Sequence, residues 1–409
     1  MPSFISWLDY SEHEKRKMLD VINLFRERDT RDELGIGTVR DAFSDLLFPG
    51  TSTIQTRARY FLFVPWIYMD IERRKVSSDK VQAEARRIEI KLINSLIDSQ
   101  DKDGIIGIDA RANLKRLPSN VYWQGLGAWG IRMTPDSQES YHRTLDFYYD
   151  SSKRVQKNDD GDLISGVAVG NWHSSIPERP RDFPREASFN LTKKEAAYLY
   201  ERISTRAQRT LLAFLIDRKE IVHESLFPWE IPYFIDEKLP PHLQEQLLHA
   251  KNFSVAMHGS ALLYNLMLAE KAENRGDQEQ LLEKYNNAFS EWAANIKSLD
   301  SELRAWKRHT FWSIAASNNA RIPTQTERFI NTWLDMVLAS ASVVEIAKSG
   351  TARSLIKSRE IFLKRTQARL DNARALEQWS GSAGTNQLNY RWQRPVRAII
   401  NDIAKGLDN

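Results

Sequence analysis

The chain has 409 residues, no cysteine and a formal net charge of +4 at pH 7. Its length allows two or three domains, and the lack of cysteine excludes disulfides, thiolate metal sites and cysteine nucleophiles. So small a charge excess gives a weak overall field, so any basic surface must arise from local clustering.

In chain order, Met1-Pro2-Ser3-Phe4-Ile5-Ser6-Trp7 lacks the basic and apolar regions of a signal peptide. Ser11 and Glu14 have capping-box spacing ahead of Met18, Leu19, Ile22 and Phe25, which share a helical face. Gly35 and Gly37 mark a turn, and Thr38 suits the N-cap of a helix from Val39 to Phe48. Pro49-Gly50 ends that helix. Residues 52–72 read either as a helix capped by Ser52 or Thr53 and kinked at Pro65, or as a buried strand; the length favours helix. The apolar run Tyr60–Met69 within it is about half of what crosses a bilayer. The expectation is a soluble, cytoplasmic protein with no membrane contact. Residues 80–97 form an amphipathic helix with Ile88, Leu92, Ile93, Leu96 and Ile97 inward, and Asp101–Gly104 is a turn.

Residues 104–185 are rich in glycine and proline, with strand-like pieces at Thr144–Tyr149 and Leu163–Val169 and an exposed loop or hairpin tip at Lys157–Asp162. Helical texture returns at Phe189. Thr192 and Glu195 form a second capping box, opening a helix through Ile216. Further helices are expected at 241–273, 277–298, 300–316, 324–347 and 351–378, and a last one from Pro395 to a stop at Gly406. The fold class is mainly α: a multi-helix protein with an irregular glycine-rich middle segment that leaves room for a small β-sheet. The textures divide the chain into an N-terminal helical domain (1–100), the middle segment (101–188), a second helical domain (189–350) and a basic C-terminal helical segment (351–409).

Standard chemistry is missing. There is no P-loop, no Gly-x-Ser-x-Gly and no His-Glu-x-x-His pattern. Glu89-Ile90-Lys91 has the residue types of a metal-dependent nuclease, but its helical setting suits solvent-facing charges better. His242 and His249 lie seven apart with no carboxylate at ligand spacing. No catalytic residue, cofactor or metal is assigned.

Two basic clusters are candidate sites for phosphate or nucleic acid. In the first, Thr51, Ser52, Thr53, Gln55, Arg57 and Arg59 follow a glycine turn whose N–H groups, hydroxyls and guanidinium forks suit an anion. The alternative is ordinary capping, with Arg57 and Arg59 paired to Asp41 or Asp45. A helix-turn-helix over 38–64 fits poorly, because Thr56 and Arg59 fall where its second helix must pack inward. In the second cluster, Arg353, Lys357, Lys364, Arg365 and Arg369 lead a basic stretch reaching Arg374; the alternative is a solvated helix face. Aromatics from Asn120 to Arg132 and from Asn389 to Arg394 could stack on bases or fill compact core turns.

The runs Asp32–Gly37 and Gln55–Trp66, with Tyr122-Trp123, Trp129-Gly130-Ile131, Leu191-Thr192, Glu195-Ala196 and Tyr390-Arg391-Trp392, carry a resemblance over nearly the full length. The chain resembles an uncharacterised bacterial domain-of-unknown-function family, DUF6361. The resemblance implies an accessory role in anti-phage defence, beside helicases and phospholipase-D-like nucleases, and supplies no catalytic residues. The expectation is therefore a non-catalytic subunit of a bacterial defence or DNA-processing complex, with nucleic acid and a helicase or nuclease as partners. The alternatives are an enzyme acting on a phosphate-bearing substrate at Gly50–Arg59, and a scaffold with no ligand.

Overall fold

A computed structural model of the protein describes residues 32–153 and 170–409. The expected Ser11–Phe25 helix, the Lys157–Asp162 loop and the Leu163–Val169 strand lie outside the described residues. The described chain is mainly helical and divides into two compact units. One comprises the described residues of Met1–Phe43 and Glu245–Leu388, the other those of Ser44–Gln244 and Asn389–Asn409. The segment from 351 to 409 is thus shared between them.

The first unit is built on the Glu245–Lys271 portion of the Pro241–Lys271 helix, which is buried on nearly every side from Ala250 to Ala269. A helix buried all round needs apolar neighbours on every face, and here they are mostly aromatic. Trp292 Nε1 donates to Val255 O at 2.8 Å and Trp333 Nε1 to Ala256 O at 2.9 Å. Trp306 Nε1 donates to His249 Nδ1 at 2.6 Å, which gives that histidine a packing role. Phe311 stacks between Phe43 and Phe253, at 5.2 Å from each. Gly259 is where the Trp292 ring lies against the helix, and a Cβ there would overlap the ring. We expect Gly259→Ala to lose about 1–3 kcal/mol of stability, since a packed indole cannot withdraw without opening space elsewhere. A denaturant midpoint unchanged from the parent would show that the ring moves freely.

The second unit surrounds the Tyr60–Arg73 helix, in which Tyr60–Tyr68 are all buried. Helix, not strand, is the state of this run. It starts at Tyr60, after a turn, so neither Ser52 nor Thr53 caps it, and Pro65 sits inside it. The Ser78–Ile97, Pro118–Ala128 and Gln138–Lys153 helices pack in the same unit. Phe61 stacks on Trp129 at 3.8 Å, and Tyr60 lies 5.1 Å from Tyr122 and 5.4 Å from Phe189.

Several expectations are corrected. The small sheet is not seen among the described residues, whose β-pairing is one isolated bridge, Arg132 to Trp172. Thr144–Tyr149 lies inside the Gln138–Lys153 helix, where Leu145 and Tyr149 are buried at i, i+4 spacing. The helix opened by Thr192 ends at Arg206 and a new one runs from Leu211 to Arg218; Arg209, at φ +63°, lies between them. The expected 351–378 helix stops at Lys364, where Arg365 takes φ +51°. The final helix runs Arg397–Asp408 after a π-turn that contains Pro395. Gly406 does not end it. A Cβ there would come within 2.7 Å of Ala196 Cβ and 2.8 Å of Leu191 Cβ, so this glycine permits close helix approach. No described helix is long and apolar enough to cross a membrane.

Candidate anion-binding site

The polar turn before the Tyr60 helix is largely satisfied by internal bonds, although the buried Ser52 Oγ and Arg59 Nε have no hydrogen-bond partner among the described residues. Gly50, at φ +79°, is pressed against Trp129, whose Nε1 donates to Pro49 O at 2.9 Å. Thr51 Oγ1 donates to Phe48 O at 2.6 Å. Gln55 receives Ser52 N and donates to Gly50 O. Tyr122 OH accepts the N–H groups of Thr56 and Arg57 at 2.9 and 3.1 Å and donates to Arg57 O at 2.9 Å. Ser52 is half-buried and Thr53 is exposed.

The two arginines face inward, and their partners are neither Asp41 nor Asp45. Arg57 makes a two-pronged contact with Asp402, with Nε–Oδ2 at 3.0 Å and Nη2–Oδ1 at 2.9 Å, and its Nη1 reaches Asp101 at 2.6 Å. Burial pulls the Arg57 pKa down, but hydrogen bonds and charge from Asp402 and Asp101 outweigh it and hold it above the ordinary value. Arg59, 6% exposed, donates to Glu195 at 2.8 Å and to Ser188 O at 2.9 Å. Asp45 instead pairs with Arg391 at 2.6 Å, and Asp41 with Arg40 at 2.9 Å. Thus Tyr122, Trp129, Glu195, Arg391 and Trp392, far apart in sequence, all meet this turn or its neighbours; Trp392 lies 5.8 Å from Phe48.

The second cluster is also largely neutralised within its own unit. Arg353 contacts Glu270 and donates to Ala347 O at 2.6 Å, and Lys357 pairs with Asp371 at 2.9 Å. Lys364 contacts Glu33, Glu360 at 3.2 Å and Tyr264 OH at 2.9 Å. Arg369 donates to Glu33 at 3.0 Å. Glu360 is fully buried and accepts the backbone N–H groups of Arg369 and Leu370, each at 2.9 Å. Arg365 is exposed. Nearby, Arg359 donates to the carbonyls of Leu34 and Gly35 at 2.8 and 3.0 Å, which fixes the Asp32–Gly37 turn. Asp32, not Thr38, takes the N–H groups of Ile36 and Gly37, at 2.8 and 2.6 Å.

Glu89 is not solvent-facing: it is fully buried and accepts both the N–H and the hydroxyl of Ser119 at 2.8 Å. Tyr122, Trp123 and Trp129 are buried too, as core turns require, and so are Tyr390 and Trp392. Phe147 and Phe362 are exposed.

A different arrangement stands out at the end of the Pro118–Ala128 helix. There, in the second unit, a recess of about 450 Å³ is lined by Gln124, Gly127, Gly130, Arg132, Thr134 and Arg206 among others, and none of the described residues lining it is acidic. Arg132 is held by the short pairing of 131–133 with 171–173: Met133 N donates to Asn171 O at 2.9 Å and His173 N to Ile131 O at 2.8 Å. Its guanidinium lies 5.0 Å from the Trp123 ring centre. Only 5% exposed, Arg132 bonds among the described residues to carbonyls alone, those of Thr134, Asp136 (2.9 Å) and Trp123 (3.4 Å). Burial lowers its pKa, against a smaller opposing pull from the Asp136 charge. A buried guanidinium without a contacting carboxylate gains from an anion.

Arg206 closes the Lys193–Arg206 helix, where a cation is favoured by the helix dipole. It is exposed and has no ion-pair partner among the described residues. The glycines make room for both cations. A Cβ at Gly127 would come within 2.6 Å of Arg132 Nη2, and one at Gly130 within 2.6 Å of Arg206 Nε. Close by, Arg202 contacts His173 Nε2, and burial followed by the charges of Arg202 and Arg206 lowers the His173 pKa. Thr134 Oγ1, a buried atom of a residue lining the recess, has no hydrogen-bond partner among the described residues. Sequence reasoning placed Arg132 beside possible stacking aromatics but missed Arg206, which no local pattern separates from other helix-end arginines.

The model of a family described as being of unknown function (DUF6361) matches residues 2–405. No curated protein and no solved structure matches the chain.

Proposed function

The chain belongs to that family of unknown function, and from this premise we propose that it is a non-catalytic subunit that binds nucleic acid by a phosphate held between Arg132 and Arg206. The setting is the defence or DNA-processing complex implied by the resemblance. The observation that carries the reading is a pair of guanidinium groups in one recess with no acid among its described lining residues. The Gly50–Arg59 turn, on this reading, is a structural joint, since both of its arginines are already paired with carboxylates inside the fold. The basic stretch at 353–369 supplies at most a diffuse contribution, because four of its five named cations are committed to carboxylates.

Salt dependence separates the two modes. One phosphate neutralised on a single strand gives a slope of log K against log salt of about −0.7, whereas seven, one for each cation between Arg353 and Arg374, would give about −5. We expect the shallower slope in a titration of a single-stranded oligonucleotide, and weaker binding at all salt concentrations for Arg206→Ala. A steep slope unaffected by that substitution would place the contact elsewhere.

A further inference from the structure

Resting on the phosphate-binding reading of this recess, we infer that it takes a strand end, a terminal phosphomonoester of single-stranded nucleic acid, and not a phosphate within the chain. Three observations carry this.

Charge is the first. Arg132 and Arg206 offer two positive charges, and the described lining residues offer no negative one. A phosphomonoester carries about −1.5 to −2 at neutral pH, so it matches the pair, whereas an internal phosphodiester carries a single negative charge.

Depth is the second. Arg132 is 5% exposed while Arg206 is exposed, so the two cations mark the inner and outer parts of one recess. A group reaching the inner guanidinium must enter end-on. A monoester has one substituent to lead back out; a diester has two, and both strands of its backbone would have to leave through the same mouth.

Donor supply is the third. Arg132 spends Nη1 and Nε on carbonyls, while its Nη2, beside Gly127, has no hydrogen-bond partner among the described residues. Thr134 adds a buried hydroxyl without a partner among those residues. Gln124, exposed on the rim, and Arg206 bring further N–H groups. Three terminal oxygens can use this set; the two unbridged oxygens of a diester use less of it.

The test uses the full chain and one oligonucleotide sequence in three forms, carrying a 5′-phosphate, a 3′-phosphate or hydroxyls at both ends. Affinities are read by fluorescence anisotropy, with inorganic phosphate and adenosine monophosphate as competitors. We expect one of the phosphorylated ends to bind at least about tenfold tighter than the hydroxyl form. Arg206→Ala, on an exposed side chain, should abolish that preference without unfolding the protein. Gly127→Ala, which crowds Arg132 Nη2, should weaken it too. If all three forms bind equally, the end-specific inference fails and the phosphate reading survives. If adenosine monophosphate binds as tightly as the phosphorylated strand, the ligand is a free nucleotide and the inference again fails. If no phosphate compound binds, both fall. A preference that persists in Arg206→Ala also overturns the inference.

Discussion

Arg59→Ala is expected to destabilise the protein by about 3–5 kcal/mol, the range for removing one partner of a buried ion pair. The substitution would leave Glu195, itself 3% exposed, without its guanidinium partner and remove the donor to Ser188 O. The cation also lies 5.5 Å from the Phe63 ring and 5.9 Å from Trp66, so packing is lost along with charge. The double substitution Arg59→Met with Glu195→Leu removes both charges together and should recover most of the loss. It will not recover all of it, because Glu195 Oε2 also accepts Thr192 N at 2.8 Å in the capping box. Denaturant midpoints of the three proteins measure this. If Arg59→Ala keeps its stability and loses phosphate binding, the joint is a ligand site after all. If the double variant folds and still binds phosphate, Arg59 belongs to the architecture.

Glu89→Gln is expected to change how stability responds to pH. Burial pushes the Glu89 carboxyl up to about 7, against the two bonds from Ser119. From an ordinary value of 4.5, the folded state binds the extra proton more tightly. Its contribution is complete below pH 4.5, falls as pH rises towards 7 and is gone above that. The span is worth about 3 kcal/mol. A chain of hydrogen bonds runs from Ser119 through Gln138 and Tyr68 to His142, with steps of 2.9, 2.7 and 3.0 Å. Burial lowers the His142 pKa from 6.5 to about 4, so its ring stays neutral when folded while the unfolded chain takes up a proton. That effect has the opposite sign: stability rises between pH 4 and 6.5. In the parent the two slopes oppose each other from pH 4.5 to 6.5. Glu89→Gln should expose the rising histidine slope and be more stable than the parent at pH 8, by up to about 3 kcal/mol, with no advantage at pH 4.5. Equal midpoints at both pH values would mean that Glu89 is charged within the fold.

Helices with strong periodicity and standard caps were legible in the sequence. Ser78–Ile97 and the Thr192–Glu195 box are where the pattern puts them. The Thr144–Tyr149 strand reading failed because aromatic and β-branched residues favour strands only weakly, and the burial spacing of Leu145 and Tyr149 prevailed. The break at Arg365 depends on a single residue in an unusual backbone conformation, which composition does not announce. Sites were harder. Arg57 and Arg59 were visible as arginines, but their acceptors Asp402 and Glu195 lie 345 and 136 residues away. Nearby Asp41 and Asp45 looked like better partners because sequence shows only local distance. The recess had half a signal: Gly127, Gly130 and Arg132 sit in one short run, while Arg206 comes from another helix.

Protein synthesis meets an unusual order in the second unit. Its Ser44–Gln244 part is synthesised before Glu245–Leu388, yet the seat of the Gly50–Arg59 turn is filled by Arg391, Trp392 and Asp402. At ordinary elongation speeds the intervening 144 residues, counted from 245 to 388, take about 7–30 s. Throughout that interval Arg57 lacks Asp402 and the Phe48 ring lacks Trp392. The nascent chain therefore presents a half-built core to the cell, and its final segment acts as the latch that ends its exposure to chaperones and proteases.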